Sequence, residues 1–452
     1  MEQAVIQSVE AIPCEILVRR SGSAEHHGEP YDEKNLGSTD EDKDKSTVFK
    51  DFPEGGIRAW SVVFGSWCCM AATFGVVNSV GYLQAWLTSH QLKDESPGKV
   101  SWIFSVLLFL YFFGGVQIGP IFDTYGLKFV LIPGCIGTVL SVFILSVCEE
   151  YYQFMLGFAI LGGVSATCVF TPAVATVGHW FYKKRGLATG VAASGGAVGG
   201  TVFPLMMIKL MPTIGFAWTI RIVGFIVSGL CLAGILTLRS RLPKGTNVSK
   251  ATIDLHAFKD IRFTLATLGI FFIEWGLFIP ITYISSYALY SGVNETFAYQ
   301  LVAILNAGSI LGRALPGYTA DRLGRYNVMI LTTVMCAIMC LAVWLPAHDN
   351  LGAIIGFAVL FGFWSGTGIC LTPVCISQIC KTEDYGKRYG TCYFFVSFGT
   401  LTGLPIAGAI QARQNGSYQG LILFSSAAYV IGIAFFIMVR IIGGGWSLKK
   451  IY

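Results

Sequence analysis

From residue 60 onward the chain alternates long apolar runs with short polar breaks. Twelve runs stand out. The first six lie at 60–87, 100–121, 127–147, 152–179, 186–211 and 215–238, and the last six at 264–290, 297–318, 327–346, 352–379, 388–411 and 419–442. Each is about 20 residues or more, and a helix of that length crosses the roughly 30 Å hydrocarbon layer of a bilayer. The pattern predicts an all-α membrane protein of twelve transmembrane helices. The longest internal polar break, 239–263, divides them into two sets of six. The expected organisation is a polar tail at 1–56, a six-helix bundle at 57–240, a linker at 241–262, a second bundle at 263–442 and a short tail at 443–452.

Composition narrows the class further. The 452 residues are 54% hydrophobic and only 13% charged, with a mean hydropathy of +0.63, whereas a soluble domain carries about 25% charge. An ordinary soluble enzyme and an intrinsically disordered chain are both excluded. The 53 glycines suit helices that pack closely in a membrane. Thirteen cysteines are present, most of them inside apolar runs, where they act as small apolar residues. Neither a disulfide framework nor a metal site nor a cofactor is expected, and no segment is large enough for an ATP-binding domain.

Charge is unevenly placed. Residues 1–58 hold 7 Lys+Arg and 13 Asp+Glu, a net of −6, which leaves +11 on the rest. The head reads as a solvated, disordered tail without the long apolar stretch of a signal peptide. The even-numbered loops carry Lys128, Lys183, Lys184, Arg185, Arg239, Arg241, Lys244, Lys250, Lys259, Arg262, Arg322, Arg325, Lys381, Lys387 and Arg388, whereas the odd-numbered loops hold Lys93 and Lys99. Positive loops face the cytoplasm, so both termini are expected there. The plasma membrane is the expected location, with an internal membrane such as the vacuole as the alternative.

The two halves echo each other. Gly119-Pro-Ile-Phe-Asp123-Thr-Tyr-Gly126-Leu-Lys128 after the second run matches Gly317-Tyr-Thr-Ala-Asp321-Arg322-Leu-Gly324-Arg325 after the eighth, with the aspartates 198 positions apart. Thr171-Pro172 matches Thr372-Pro373 at an offset of 201, and Lys184-Arg185-Gly186 matches Lys387-Arg388. Such a parallel repeat builds one large transporter fold, whose site lies between the halves near the midplane.

The Gly-x-x-x-Asp-Arg-x-Gly-Arg run at 317–325 resembles the loop signature of the major facilitator superfamily. Mechanically, an aspartate at a helix end can accept bonds from a neighbouring helix N-terminus and from an arginine, so it can latch one side of the protein. Gly119, Asp123, Gly126, Gly317, Asp321, Arg322, Gly324 and Arg325 are therefore the candidate gating residues. Within that superfamily the chain resembles the monocarboxylate-porter group in its fungal branch. The resemblance rests on Glu54-Gly55-Gly56-Ile-Arg58-Ala-Trp60, on Trp180-Phe181-Tyr182-Lys183-Lys184-Arg185-Gly186-Leu187-Ala188-Thr189-Gly190, and on Asn306-Ala-Gly-Ser-Ile-Leu-Gly312-Arg313. It departs from the animal members at two places: Asn78 takes the place of a first-helix lysine, and Ser309 stands where an aspartate precedes Arg313. Lactate and pyruvate are not carried over as substrates, and proton coupling stays open.

The candidate solute-binding residues are Arg313, Glu274, Asn78, Asn306, Trp364 and Tyr393. A charge near the bilayer centre costs at least about 2.5–3.5 kcal/mol on insertion scales, so Arg313 must face a cavity or a partner. It reads as an anion-binding cation or as a tie to Asp321 or a helix end. Glu274 could carry a proton, pair with Arg313, contact solute or hydrogen-bond between helices. Arg221 reads as a structural tie and His179 as a cap on the fourth helix.

The expected function is secondary transport of a small organic solute, such as a carboxylate or other anionic metabolite, a vitamin or a secondary metabolite, by alternating access. A non-transporting receptor on the same fold is the alternative. The expected partners are the solute, the lipid bilayer and, as an open question, a co-transported proton. No nucleic-acid partner is expected.

Overall fold

In the computed structural model the described residues are 52–241, 253–380 and 385–445, apart from the side chains of Pro97 and Asp123. Residues 1–51 and 446–452, on which most of the tail expectations fall, lie outside them, as does most of the linker. The described residues are helical, with no strand among them.

Twelve spans follow in order. α1 is Ile57–Ser89, interrupted at Asn78 and Ser79. α2 runs through Pro97–Phe113 and Gly115–Tyr125, starting with Ser96 as a cap on the Lys99 amide and Pro97 in its first turn. α3 is Leu127–Leu145, and α4 is Tyr151–Val177 with a π-helical stretch at Phe154–Ile160. A continuous run, Arg185–Thr237, is broken only at Gly215, whose φ of 81° a side chain disfavours. It supplies α5 (185–214) and α6 (216–237). α7 is Ile261–Tyr290, α8 Glu295–Leu323, α9 Arg325–Trp344, α10 Leu351–Gln378, α11 Tyr385–Arg413 and α12 Gln419–Gly444.

Among the described residues, ten helices are long and apolar enough to cross a membrane by length and composition. Dividing the longest at Gly215 and adding α8, whose apolarity is lowered by groups such as Asn306 and Arg313, makes twelve. α3, α6, α9 and α12 turn rows of large apolar side chains outward: Phe129 and Ile136, Phe225 and Leu232, Leu331 and Ile338, Val430 and Ile437. Rows of this kind suit hydrocarbon, while the helix backbones satisfy their own hydrogen bonds. The protein is a multi-pass membrane protein, built from two six-helix repeats.

The structure corrects one feature of the sequence reading. Gly119, Gly317, Asp321 and Arg322 stand on the last turns of α2 and α8, not in loops. The turns themselves are single glycines, Gly126 at φ 87° and Gly324 at φ 99°. Each ends one helix and begins the next, because glycine alone adopts this backbone without strain.

Two seams join the halves: α5 packs on α8, and α2 packs on α11. Both depend on glycines that bring backbone against backbone. Gly186 of α5 meets the Gly317 carbonyl, and Gly119 of α2 meets the Gly386 carbonyl. Both contacts lie at the end carrying the even-numbered loops, here termed the even-loop end.

Candidate functional site

Arg313 lies at the α5–α8 seam with 1% of its surface exposed. Its Nη1 donates to the Ala193 carbonyl of α5 at 2.6 Å, and its Nε donates to Ser309 Oγ one turn earlier at 3.2 Å. The guanidinium also sits 5.3 Å from the centre of the Phe74 ring of α1. Gly196 makes room for it. A Cβ there would stand 2.9 Å from Nη1 and 2.8 Å from the Phe74 Cβ. The sequence reading offered Asp321 as a structural partner for Arg313, but the arginine bonds α5 instead and joins the two halves.

Glu274 of α7 is 2% exposed, and its Oε2 has no hydrogen-bond partner among the described residues. It interacts electrostatically with Arg313 but makes no ion pair within 4 Å. A buried carboxylate oxygen without a donor is costly unless it is protonated or meets a ligand or water.

Asn78 stands at the break in α1 and donates from Nδ2 to the Gly196 carbonyl at 3.1 Å, beside the arginine's place. Asn306 donates to the Val302 carbonyl at 2.9 Å, and its Oδ1 faces Gly200 of α5. These two, with Arg313, form one cluster around the glycine-lined stretch of α5. Tyr393 lies on the other seam, where it stacks on Phe112 of α2 at 5.2 Å, and the charge of Glu274 reaches it. Trp364 falls outside this group and meets Phe363 edge-on at 4.9 Å.

A ladder of tyrosines was missed from the sequence. Tyr393 packs on Tyr389 at 4.7 Å, and Tyr389 on Tyr385 at 5.6 Å. Tyr385 lies 4.5 Å below the guanidinium of Arg185, which belongs to the opposite half. The hydroxyls of Tyr385 and Tyr389 are buried without partners among the described residues. The ladder runs along α11 from the centre to the even-loop end. The four-residue spacing of 385, 389 and 393 was the available signal.

At the even-loop end the described residues of the two halves bond to each other. Asp321 accepts from the Gly186 amide at 3.0 Å and from the Leu187 amide at 2.9 Å, at the positive start of α5. Arg325 donates to the Tyr182 carbonyl at 3.1 Å and stands 3.9 Å from Asp321. Arg322 lies over the Tyr318 ring of its own helix. The Asp123 side chain lies outside the described residues.

At the opposite end, cavities of about 240 and 250 Å³ lie between the halves. They flank Tyr82 of α1 and Tyr299 of α8, which meet edge-on at 5.3 Å. Trp86, His90 and Glu295 line one cavity, and Gln84, Thr88 and Thr282 the other. Among the described residues, the bonds between the halves at one end and these cavities at the other lie at opposite ends of the spans.

The remaining charged candidates are structural. Arg221 donates to Ser146 Oγ at 3.4 Å and covers the Trp218 ring. His179 bonds Ser240 at 3.2 Å instead of capping α4. Burial, with the nearby Arg185 charge, lowers its pKa to about 4, so it is neutral at pH 7. Among the described residues no cysteine is paired, and no group of side chains is arranged for a metal ion.

A family model described as Major Facilitator Superfamily matches residues 59–348 and 266–445. The MFS transporter asaE of Aspergillus flavus is 38% identical over 416 residues, covering 91% of this chain and 94% of its own length. The riboflavin transporter MCH5 of Saccharomyces cerevisiae is 36% identical over 438 residues, covering 91% and 84%. The crystal structure of the human organic anion transporter MFSD10 superposes with a TM-score of 0.64 at 14% identity, over 84% of this chain and all of that one. This last likeness is one of fold. The matched span, the relatives and the twelve-helix repeat agree: the chain belongs to the Major Facilitator Superfamily and is a membrane transporter, not an enzyme.

Proposed function

We propose that the protein is a secondary active transporter of the monocarboxylate-porter-like branch. It carries a small organic solute, a carboxylate or other anionic metabolite, by rocking the 57–240 bundle against the 263–442 bundle. Arg313, Asn78, Asn306 and Tyr393 hold the solute, Glu274 faces it and carries a co-transported proton, and Trp364 flanks the group. The termini lie in the cytoplasm, as the basic even-numbered loops require, and the membrane is the plasma membrane. Vitamins and secondary metabolites are the solutes to offer first. A relative named for riboflavin supports that choice.

One observation carries this reading. Arg313 is a buried charge where the two halves meet, and Glu274, a buried carboxyl in its electrostatic reach, keeps one oxygen without a partner. Buried charge in a membrane is costly and marks a pathway. Arg313 engages both halves, since it sits on α8 and bonds α5. A solute anion that competes for the guanidinium would loosen that tie, so binding and rocking are coupled.

Uptake into proteoliposomes tests the reading, with wild type beside Arg313→Ala and Glu274→Gln. Hydrogen bonds to charged groups contribute about 1.5–3 kcal/mol, so Arg313→Ala should lower uptake of an organic anion by about tenfold or more. Glu274→Gln should abolish stimulation by an inward proton gradient. Unchanged uptake in both variants would remove these residues from the site. Saturable binding of a solute without uptake would favour the receptor.

A further inference from the structure

Glu54 precedes α1, and its carboxylate accepts three consecutive backbone amides just before α5. Oε1 takes Tyr182 at 2.8 Å and Lys183 at 2.6 Å, and Oε2 takes Lys184 at 3.1 Å. The Glu54 amide donates in return to the Trp180 carbonyl, and Phe52 packs on the Tyr182 ring at 5.5 Å. The residue adopts φ 50°, a backbone that its own contacts must hold.

Asp254 lies 200 positions later in the chain, just before α7, the first helix of the second half. It addresses the matching place, the start of α11. Its carboxylate lies 3.8 Å from Lys387 Nζ and 4.0 Å from Arg388 Nε, and its amide donates to the buried Thr391 hydroxyl at 2.9 Å. Phe258, in the short helix Leu255–Lys259, packs on Phe395 of α11 at 4.9 Å. The offset of 200 falls within the 198–203 that relates the matching motifs, and Lys387-Arg388 is the repeat partner of Lys184-Arg185.

We infer that Glu54 and Asp254 are repeat-related positioning residues, each holding the start of the fifth helix of its own half in register for the opposite half to close on it. These helix starts are where the seal forms. Asp321 takes the Gly186 and Leu187 amides from the other half, immediately after the three amides that Glu54 holds. Gly386 and Gly390 of α11 meet α2 beside the residues that Asp254 holds. On opening, the bonds across the halves break while the bonds within each half stay. The clamp keeps the released amides in place, so closing needs no refolding of the loop. Glu54 and Asp321 share the positive start of α5, where the helix dipole and Lys183, Lys184 and Arg185 offset their mutual repulsion.

The inference rests on the rocking of two halves, but it concerns the gate and not the solute, so its test needs no transported compound. Spin labels on cysteines at exposed Tyr125 and Leu323, with Cys14→Ser to keep the tail unlabelled, would report the distance between the halves at the even-loop end of the full chain. Amide hydrogen exchange would report on residues 182–187. In Glu54→Gln the exchange at Tyr182, Lys183 and Lys184 should rise about tenfold or more, and the long-distance population should grow at least about twofold. Glu54→Asp should restore part of both. Asp254→Asn should widen the same distance without changing exchange at 182–184, because it acts on the other seam. Distances and exchange that match wild type in both variants, with helix content retained, would overturn the inference. Faster exchange with an unchanged distance would make Glu54 a loop anchor only, and would overturn its role in the gate.

Discussion

At the scale of the residue, the site is a matter of which buried polar groups have partners. Arg313, Asn78 and Asn306 are each satisfied by protein atoms, whereas Glu274 and two hydroxyls of the tyrosine ladder are not. Arg313 and Glu274 were legible in the sequence because a charge inside an apolar run is conspicuous. What α5 contributes was not. The Ala193 carbonyl and the space at Gly196 belong to a backbone, and no side chain announces them. Glu54 was visible only as part of a motif, since its partners are amides about 130 residues away. His179 gives a prediction at this scale. An exposed histidine titrates near 6.5, but the folded protein holds His179 neutral down to about 4. Between those values the unfolded chain binds more protons, so stability falls as pH drops from 6.5 towards 4 and is flat above. Melting temperatures measured across that range should decline more steeply for wild type than for His179→Gln. Parallel declines would show that the buried ring does not contribute.

At the scale of the element, ten of the twelve spans lie near the apolar runs, because hydrocarbon thickness sets their length. The exceptions in extent are α2, which continues to Tyr125 past the expected 121, and α8, which continues to Leu323 past the expected 318. Charged residues ended the apolar run there but did not end the helix, since the Asp321 side chain is satisfied by the α5 amides. The helix ends at glycine, not at the polar boundary. Gly126 and Gly324 hold positive φ at equivalent turns of the two repeats. An alanine at either should cost about 1–3 kcal/mol, and the two losses should be similar. Thermal unfolding of Gly126→Ala and Gly324→Ala in detergent measures both. No change in either melting temperature would contradict the assignment of these turns.

At the scale of the whole molecule, the repeat explains why the halves meet along two seams. α5 on α8 and α2 on α11 are the same contact made once by each half. Their glycines allow close approach, and a contact made by backbone can part without rearranging side chains. Cavities lie between the halves at the other end. The repeat and the superfamily were foreshadowed by the matching motifs, and the two seams were not. Nor was the bonded end, since one sequence serves every conformation of the cycle.

Alternating access through these seams is the central claim, and a reversible lock tests it most directly. Gly119 and Gly386 approach closely across α2 and α11, within the reach of a disulfide. Uptake would be measured in proteoliposomes for the Gly119→Cys/Gly386→Cys pair, first oxidised and then reduced. The account predicts that the oxidised protein is inactive and that reduction restores uptake to the level of the pair never oxidised. Undiminished uptake by fully cross-linked protein would contradict it.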